Sequence, residues 1–297
     1  MNKSQVRLIL AGGVLGVTSS SFIFLEANKD PYSIAFVRVL LTGIISFFFI
    51  SRIRGANQES QIEFNDILKI LVAGFSLATH FSWWFASLNY IPVGISLALT
   101  NTAPIWLTVL VIIIYRQKPQ TNQWIAIIFV IIGSVLLFSD NTQLGDQGLE
   151  GLILALGSAI GFAVYLILAR SMVPRLGLWR YFGLVNLSAS GFILIWIFIT
   201  AHISDLSEPS IWIWGLLLAI FPGILGHAIY NFSMSRLDPI DVSVATLGEP
   251  VLGTIIAYAH LDQTLSNLQI LALSSLVVAI TFTIRSSNGD ADPTIID

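Results

Sequence analysis

Apolar runs of about twenty residues recur ten times in this chain, near 8–25, 32–51, 67–88, 93–114, 122–139, 149–169, 178–200, 211–233, 239–259 and 265–284. A helix needs about that length to cross a bilayer, and lipid leaves a spanning backbone few other ways to satisfy its polar groups. The chain is therefore expected to be an all-α integral membrane protein with ten transmembrane helices. Composition agrees, since 10% of residues are charged against roughly 25% in a soluble domain. The absence of cysteine excludes disulfide and thiol chemistry and leaves the compartment open. The first run has the outline of a signal peptide, with Lys3 and Arg7 ahead of it and Thr18-Ser19-Ser20-Ser21 at its end. The repeat described below argues that it is retained.

Basic residues fix the orientation. With the N-terminus in the cytoplasm and sides alternating, twelve of the 14 Lys and Arg residues fall inside, from Lys3 and Arg7 to Arg236 and Arg285. Lys29 alone falls outside, and Arg38 lies within a span. Both termini are expected in the cytoplasm of a plasma (inner) membrane protein.

The two halves repeat. Leu8-Ile9-Leu10-Ala11 with Gly13 recurs as Leu152-Ile153-Leu154-Ala155 with Gly157, an offset of 144. His80, Phe85 and Pro92 recur as His227, Phe232 and Pro239 at 147, and Pro104 as Pro250 at 146. Five spans per half is an odd number, so the second repeat must be inverted relative to the first. Boundaries follow at 1–140 and 141–286, with 287–297 a polar, disordered cytoplasmic tail. Inverted repeats place a solute site at their interface near the midplane, built from interrupted helices. Pro104 and Pro250 are such interruptions at matched places and are expected to serve as gating breaks.

Beside the second break stands Leu247-Gly248-Glu249-Pro250, within an apolar stretch from about Val242 to Ala259. A carboxylate at that depth costs at least ~2.5 kcal/mol, and the proline frees a carbonyl that lipid cannot satisfy. A bound solute and a protonated Glu bonded to a neighbouring helix both account for it. Arg38, in the second span, is the other expensive group. The two charges could pair with each other, Arg38 could snorkel outward, or they could hold the two ends of a zwitterion, the guanidinium gripping carboxylate.

Polar and aromatic residues at helical spacing complete the set: Ser76, Thr79, His80, Trp83 and Ser87 in the third span, His227, Tyr230 and Asn231 in the eighth. Interhelical hydrogen bonding is the plainer reading for any one of them. Trp83 and Trp84 also suit an interfacial aromatic belt. Gly12 and Gly16, and Gly157 and Gly161, give small surfaces for close helix packing.

The segments Thr100-Asn101-Thr102-Ala103-Pro104 and Leu247-Gly248-Glu249-Pro250 each open a long apolar helix, which turns into another rich in small residues, Gln123 to Leu137 and Leu268 to Phe282. In these features, in Arg38 and over nearly its whole length, the chain resembles the EamA-type proteins of the drug/metabolite transporter superfamily. It departs from them where the long helices end, reading Arg116-Gln117 and Asp262-Gln263 in place of the family's Gly-Glu. The resemblance implies a secondary transporter, often an exporter, of small polar metabolites.

The expected solute is an amino-acid-like zwitterion in a cavity bounded by Arg38, His80, Trp84, Asn101, Tyr230, Asn231 and Glu249. An apolar drug would leave both charges unpartnered, and a dianion would ask for more cations than Arg38. Proton coupling through Glu249 is compatible with this site, as are a monomer and a homodimer. No cofactor, metal-ligand spacing or nucleic-acid surface is evident. A membrane-embedded enzyme using Glu249 and a histidine would lack a nucleophile or metal set, and a sensor or scaffold would lack any soluble domain.

Overall fold

A computed structural model describes residues 1–52, 61–91, 93–140, 148–200, 206–253 and 266–286. The expected tail at 287–297, Pro92 and the Asp262-Gln263 pair lie outside these residues. Helix is the only regular secondary structure among the described residues, with no strand. In order they form α1 (Lys3–Ala27), α2 (Pro31–Arg52), α3 (Phe64–Ser87), α4 (Val93–Thr100), α5 (Ala103–Tyr115), α6 (Thr121–Asp140), α7 (Gly148–Leu176), α8 (Leu178–Thr200) and α9 (Pro209–Leu218). A π-helical segment (Ala219–His227), α10 (Ala228–Met234), α11 (Pro239–Ala245), α12 (residues 248–253) and α13 (Asn267–Ser286) follow.

Among the described residues, six stretches are long and apolar enough to cross a bilayer: Lys3–Ala27, Pro31–Ile50, Phe64–Ser87, Gly148–Leu176, Leu178–Ile199 and Pro209–Met234. Ala103–Tyr115, Thr121–Leu136 and Asn267–Phe282 are shorter apolar helices. Their apolar outer faces, such as Phe48, Ile113, Ile131 and Phe198, are exposed on the isolated chain. Hydrocarbon is the environment that accommodates such surfaces.

The halves interlock. Helix α1 packs on the π segment while α7 packs on α3, α2 lies on α8, and α6 lies on α13. Residues at matched places meet across these contacts. The Ser275 hydroxyl donates to the carbonyl of Phe129, 146 residues earlier, at 2.8 Å. The rings of His80 and His227 stand 6.0 Å apart. The Gln120 N–H donates to its own helix's Gln123 at 2.9 Å, and Ser266 to Gln269 at 3.3 Å, the same cap repeated.

Two sequence expectations shift. Buried positions of α1 recur on α7 at an offset of 145, Leu10 with Ala155, Val14 with Ala159, Val17 with Phe162 and Phe24 with Ala169. The identities at 144 are therefore one residue out of register, because burial rather than residue type sets equivalence on an apolar helix. The close-packing glycines of α1 are also Gly13 and Gly16 rather than Gly12. A Cβ at Gly12 would meet nothing within 4 Å, whereas one at Gly16 would stand 2.7 Å from the Leu225 carbonyl oxygen.

Polar ties close the two ends. Lys29 pairs with Glu208. At the other end Arg175 pairs with Asp66 at 2.9 Å and with Glu63 at 2.6 Å, and Gln117 donates to Asp238 at 3.2 Å.

Candidate functional site

The fourth and ninth apolar runs are both broken near their middles. Helix α4 ends at Thr100 and α5 starts at Ala103, with Pro104 in its first turn, where a missing N–H costs nothing. The Asn101 side chain donates to the Leu97 carbonyl at 2.8 Å and the Thr102 hydroxyl to that of Leu99 at 2.6 Å. Each of those carbonyls also accepts a backbone N–H, of Asn101 at 2.9 Å and of Thr102 at 3.0 Å, so the two side chains brace the last turn of α4 as second donors. In the second half α11 ends at Ala245, a turn occupies 246–247, and α12 carries Glu249 and Pro250. The Thr246 hydroxyl donates to the Ser243 carbonyl at 2.7 Å, and the Glu249 N–H to the Thr246 carbonyl at 2.9 Å. Pro104 and Pro250 thus both lie just beyond a helix break.

A small cavity sits between the two breaks. Four of the seven sequence-selected residues line it: His80, Trp84, Asn101 and Glu249. Val17, Thr100, Phe162, His227 and Thr246 also contribute. Its volume of about 20 Å³ is room for roughly one water. Arg38, Tyr230 and Asn231 stand behind the wall, each no more than 1% exposed.

Arg38 does not pair with Glu249 here. Its guanidinium donates to the Ser20 hydroxyl at 2.8 Å and lies 3.7 Å over the ring of Phe81. Phe81 in turn packs edge-on to His227 at 5.0 Å. The cation is held by a hydroxyl and an aromatic face, within electrostatic reach of the carboxylate but not bonded to it.

The two histidines at matched places have different surroundings. His80 Nδ1 lies 3.0 Å from the Ser158 hydroxyl and 3.2 Å from its carbonyl. That hydroxyl donates its single proton to the His80 carbonyl at 2.9 Å, so Nδ1 must be the protonated nitrogen and donate to Ser158. His80 therefore straps α3 to α7. His227 ends the π segment inside a ring of His80, Phe81, Phe162, Tyr165 and Tyr230. Its Nδ1 has no hydrogen-bond partner among the described residues. Asn231 is held by Tyr165 and donates to the His227 carbonyl at 2.7 Å, which fixes that turn.

Trp84 Nε1 and Thr100 Oγ1 are likewise buried without a partner among the described residues, and both belong to cavity-lining side chains. A buried polar atom left unpaired costs about 1–3 kcal/mol. Three such atoms and a carboxylate around one cavity make a site suited to a polar guest with both donor and acceptor ends. No group of three or more His, Asp or Glu side chains gathers to hold a metal among the described residues.

The sequence marks His227 as the repeat partner of His80 and as part of a polar stripe, but does not mark Phe162, Thr100 or Thr246 as cavity residues. Pro222, inside the π segment, marks that irregular turn in the sequence. Phe162 carries no such mark, because an aromatic residue in an apolar helix looks the same in a core and in a cavity wall.

A model of the EamA-like transporter family matches residues 7–139 and again 149–285. The threonine/homoserine exporter RhtA of Salmonella typhimurium is 25% identical over 250 residues, covering 82% of this chain and 78% of RhtA. RhtA of Escherichia coli K12 is 24% identical over 253 residues, covering 82% and 79%. An uncharacterised transporter of Synechocystis, sll1319, is 25% identical over 227 residues, covering 75% and 67%. A solved crystal structure superposes with a TM-score of 0.76 over 98% of this chain and 100% of its own, at 15% identity, a likeness of fold alone.

Proposed function

This chain belongs to the EamA-like transporter family, and from that premise we propose that it is a secondary transporter exporting small amino-acid-like zwitterions by alternating access. The observation that carries the reading is the central cavity between two broken helices, with Glu249 in its wall. Glu249 takes the solute's ammonium group and exchanges a proton as it does so. The solute's carboxylate faces Trp84, Thr100 and His227, with Arg38 behind Phe81 supplying positive potential. Breaks at Pro104 and Pro250 let the wall move, since a one-water cavity cannot admit a solute unless it opens. The RhtA relatives are threonine/homoserine exporters by name, which makes those the first solutes to test.

The architecture proposed with it is ten spans in two inverted five-helix repeats, 1–140 and 141–286, with both termini cytoplasmic. The polar ties support that topology. Lys29 and Glu208 both fall outside in it, while Arg175, Asp66, Glu63, Gln117 and Asp238 all fall inside. A chain without cysteine is ready for labelling. Ser207→Cys is expected to react with an impermeant thiol reagent added to intact cells, and Lys118→Cys only after permeabilisation. The reverse pattern would overturn the orientation.

Purified protein in liposomes loaded with threonine is expected to exchange external labelled threonine at a rate at least ~10-fold above empty vesicles, the size of a 1.4 kcal/mol effect. Exchange of sugar phosphates or lipophilic cations with none of amino acids would eliminate the zwitterion reading.

A further inference from the structure

The two ends of the molecule differ in a way that the repeat makes legible. At the end carrying Tyr90 and Ile91, the first turn of α7 is packed shut. Ile91 and Ala155 form a buried apolar cluster with Tyr90, Leu99 and Leu152 against it. The approach is so close that a Cβ on Gly151 would stand 2.6 Å from the Ile91 side chain and 2.8 Å from that of Tyr90.

The same places in the other half form a groove instead. By the burial register of 145 for α1 and α7, Leu152 corresponds to Arg7 and Ala155 to Leu10. By the offset of 147 shared by His80/His227 and Phe85/Phe232, Tyr90 corresponds to Leu237 and Ile91 to Asp238. Arg7, Leu10 and Leu237 line an open groove of about 600 Å³ between α1 and α11 that continues past Val14 to Gly248. Val14 and Gly248 are one turn or less from Val17 and Glu249 of the central cavity. The groove therefore runs toward the site, and its far wall is the broken ninth run.

We propose that this groove is the open form of a closure whose shut form is the Ile91–Ala155 cluster with Leu152 against it at the opposite end, and that shutting it brings Arg7 onto Asp238. One mouth of the transporter then closes on dry apolar packing and the other on an ion pair. The physical reason lies in the residues at equivalent places. The cluster of Ile91 and Ala155 with Leu152 against it gains by excluding water, whereas Arg7 and Asp238 exchange their present partners for a charge-assisted bond. In the open form Asp238 is engaged by the Gln117 amide at 3.2 Å and by the Ile240 N–H at 2.9 Å. The amide tie has no acid to bond at the other end, where Ile91 stands in place of Asp238. An element with two discrete arrangements, biased from one end or the other, is what alternating access requires.

The inference rests on the alternating-access reading, but not on the identity of the solute. It is tested by two cysteine pairs placed in the cysteine-free chain, Ile91→Cys with Leu152→Cys and Arg7→Cys with Asp238→Cys, oxidised in liposomes. Each pair is expected to cross-link alone, and in the four-cysteine variant molecules carrying both bonds are expected to be at least ~10-fold rarer than independent formation would give. Both bonds forming together in most molecules would overturn the proposal. So would failure of the Arg7/Asp238 pair to form where the Ile91/Leu152 pair does. Asp238→Asn, which keeps the cap on the Ile240 N–H while removing the charge, supplies a variant less prone to misfold. In its background the Ile91/Leu152 pair is expected to cross-link at least ~3-fold faster, because the competing closure has lost its charge. An unchanged rate would count against the ion pair. Exclusive cross-linking without any amino-acid exchange would leave the gate standing and remove the zwitterion reading alone.

Discussion

Glu249→Gln is expected to lower the initial rate of amino-acid exchange at least ~100-fold, about 2.7 kcal/mol, while the protein still inserts and purifies as a single species. Glutamine keeps the shape and hydrogen-bonding capacity of the acid but neither its charge nor its exchangeable proton. A glutamate retained only to bond a neighbouring helix would tolerate the exchange, and the thermal midpoint would be the quantity to change. A glutamate that binds an ammonium group and moves a proton loses function with its midpoint kept or raised. The cavity favours the second outcome. Glu249 lines it beside Thr246 and His227, and no ion pair with Arg38 ties it up. Exchange measured across the full pH range, together with the thermal midpoint, separates the two. Wild-type rates at every pH would show that the carboxylate is dispensable.

The second large effect is on folding. Gly161→Val is expected to abolish recovery of folded protein, and Gly161→Ala to cost about 1–3 kcal/mol, the usual penalty of overpacking. A Cβ at Gly161 would stand 2.7 Å from the Ser76 carbonyl oxygen and 3.2 Å from the His80 nitrogen. Both are backbone atoms of α3, so no side chain can turn aside and the two helices must part. Separating them also breaks the Ser158–His80 strap. Gly12→Ala is the control. Nothing lies within 4 Å of the added carbon there, and the change is expected to stay within about 0.5 kcal/mol, as for a surface site. Thermal denaturation followed by size-exclusion in detergent reports both. Equal midpoints for the Gly12 and Gly161 variants would overturn the packing argument.

These two cases differ in how far the sequence reaches. Glu249 could be selected without coordinates, because a carboxylate deep in an apolar run is expensive wherever the run is placed. Gly161 could be named only as half of a small-residue surface, and the companion assignment of Gly12 failed. A glycine's importance depends on what faces it, which one helix cannot state about another. The same limit applies to the repeat. Matched prolines and histidines revealed it, yet the register of α1 against α7 came from burial, since a run of leucines and isoleucines is nearly as similar to itself one residue along.

By itself the sequence determined the membrane class, the positions of the apolar helices, the breaks at Pro104 and Pro250, and the residue most costly to bury. Those follow from local chemistry: helix length against bilayer thickness, a missing N–H, and a charge among apolar neighbours. The tertiary structure decided which of the chosen side chains share the cavity. It put Arg38 on Ser20 and Phe81 rather than on Glu249, turned His80 into a strap while leaving His227 in the wall, and brought Phe162 in from α7. Every one of those outcomes is set by the direction in which one helix faces another. In a chain apolar nearly all round, no periodicity encodes that direction, and only the packing of small against large side chains across the two halves fixes it.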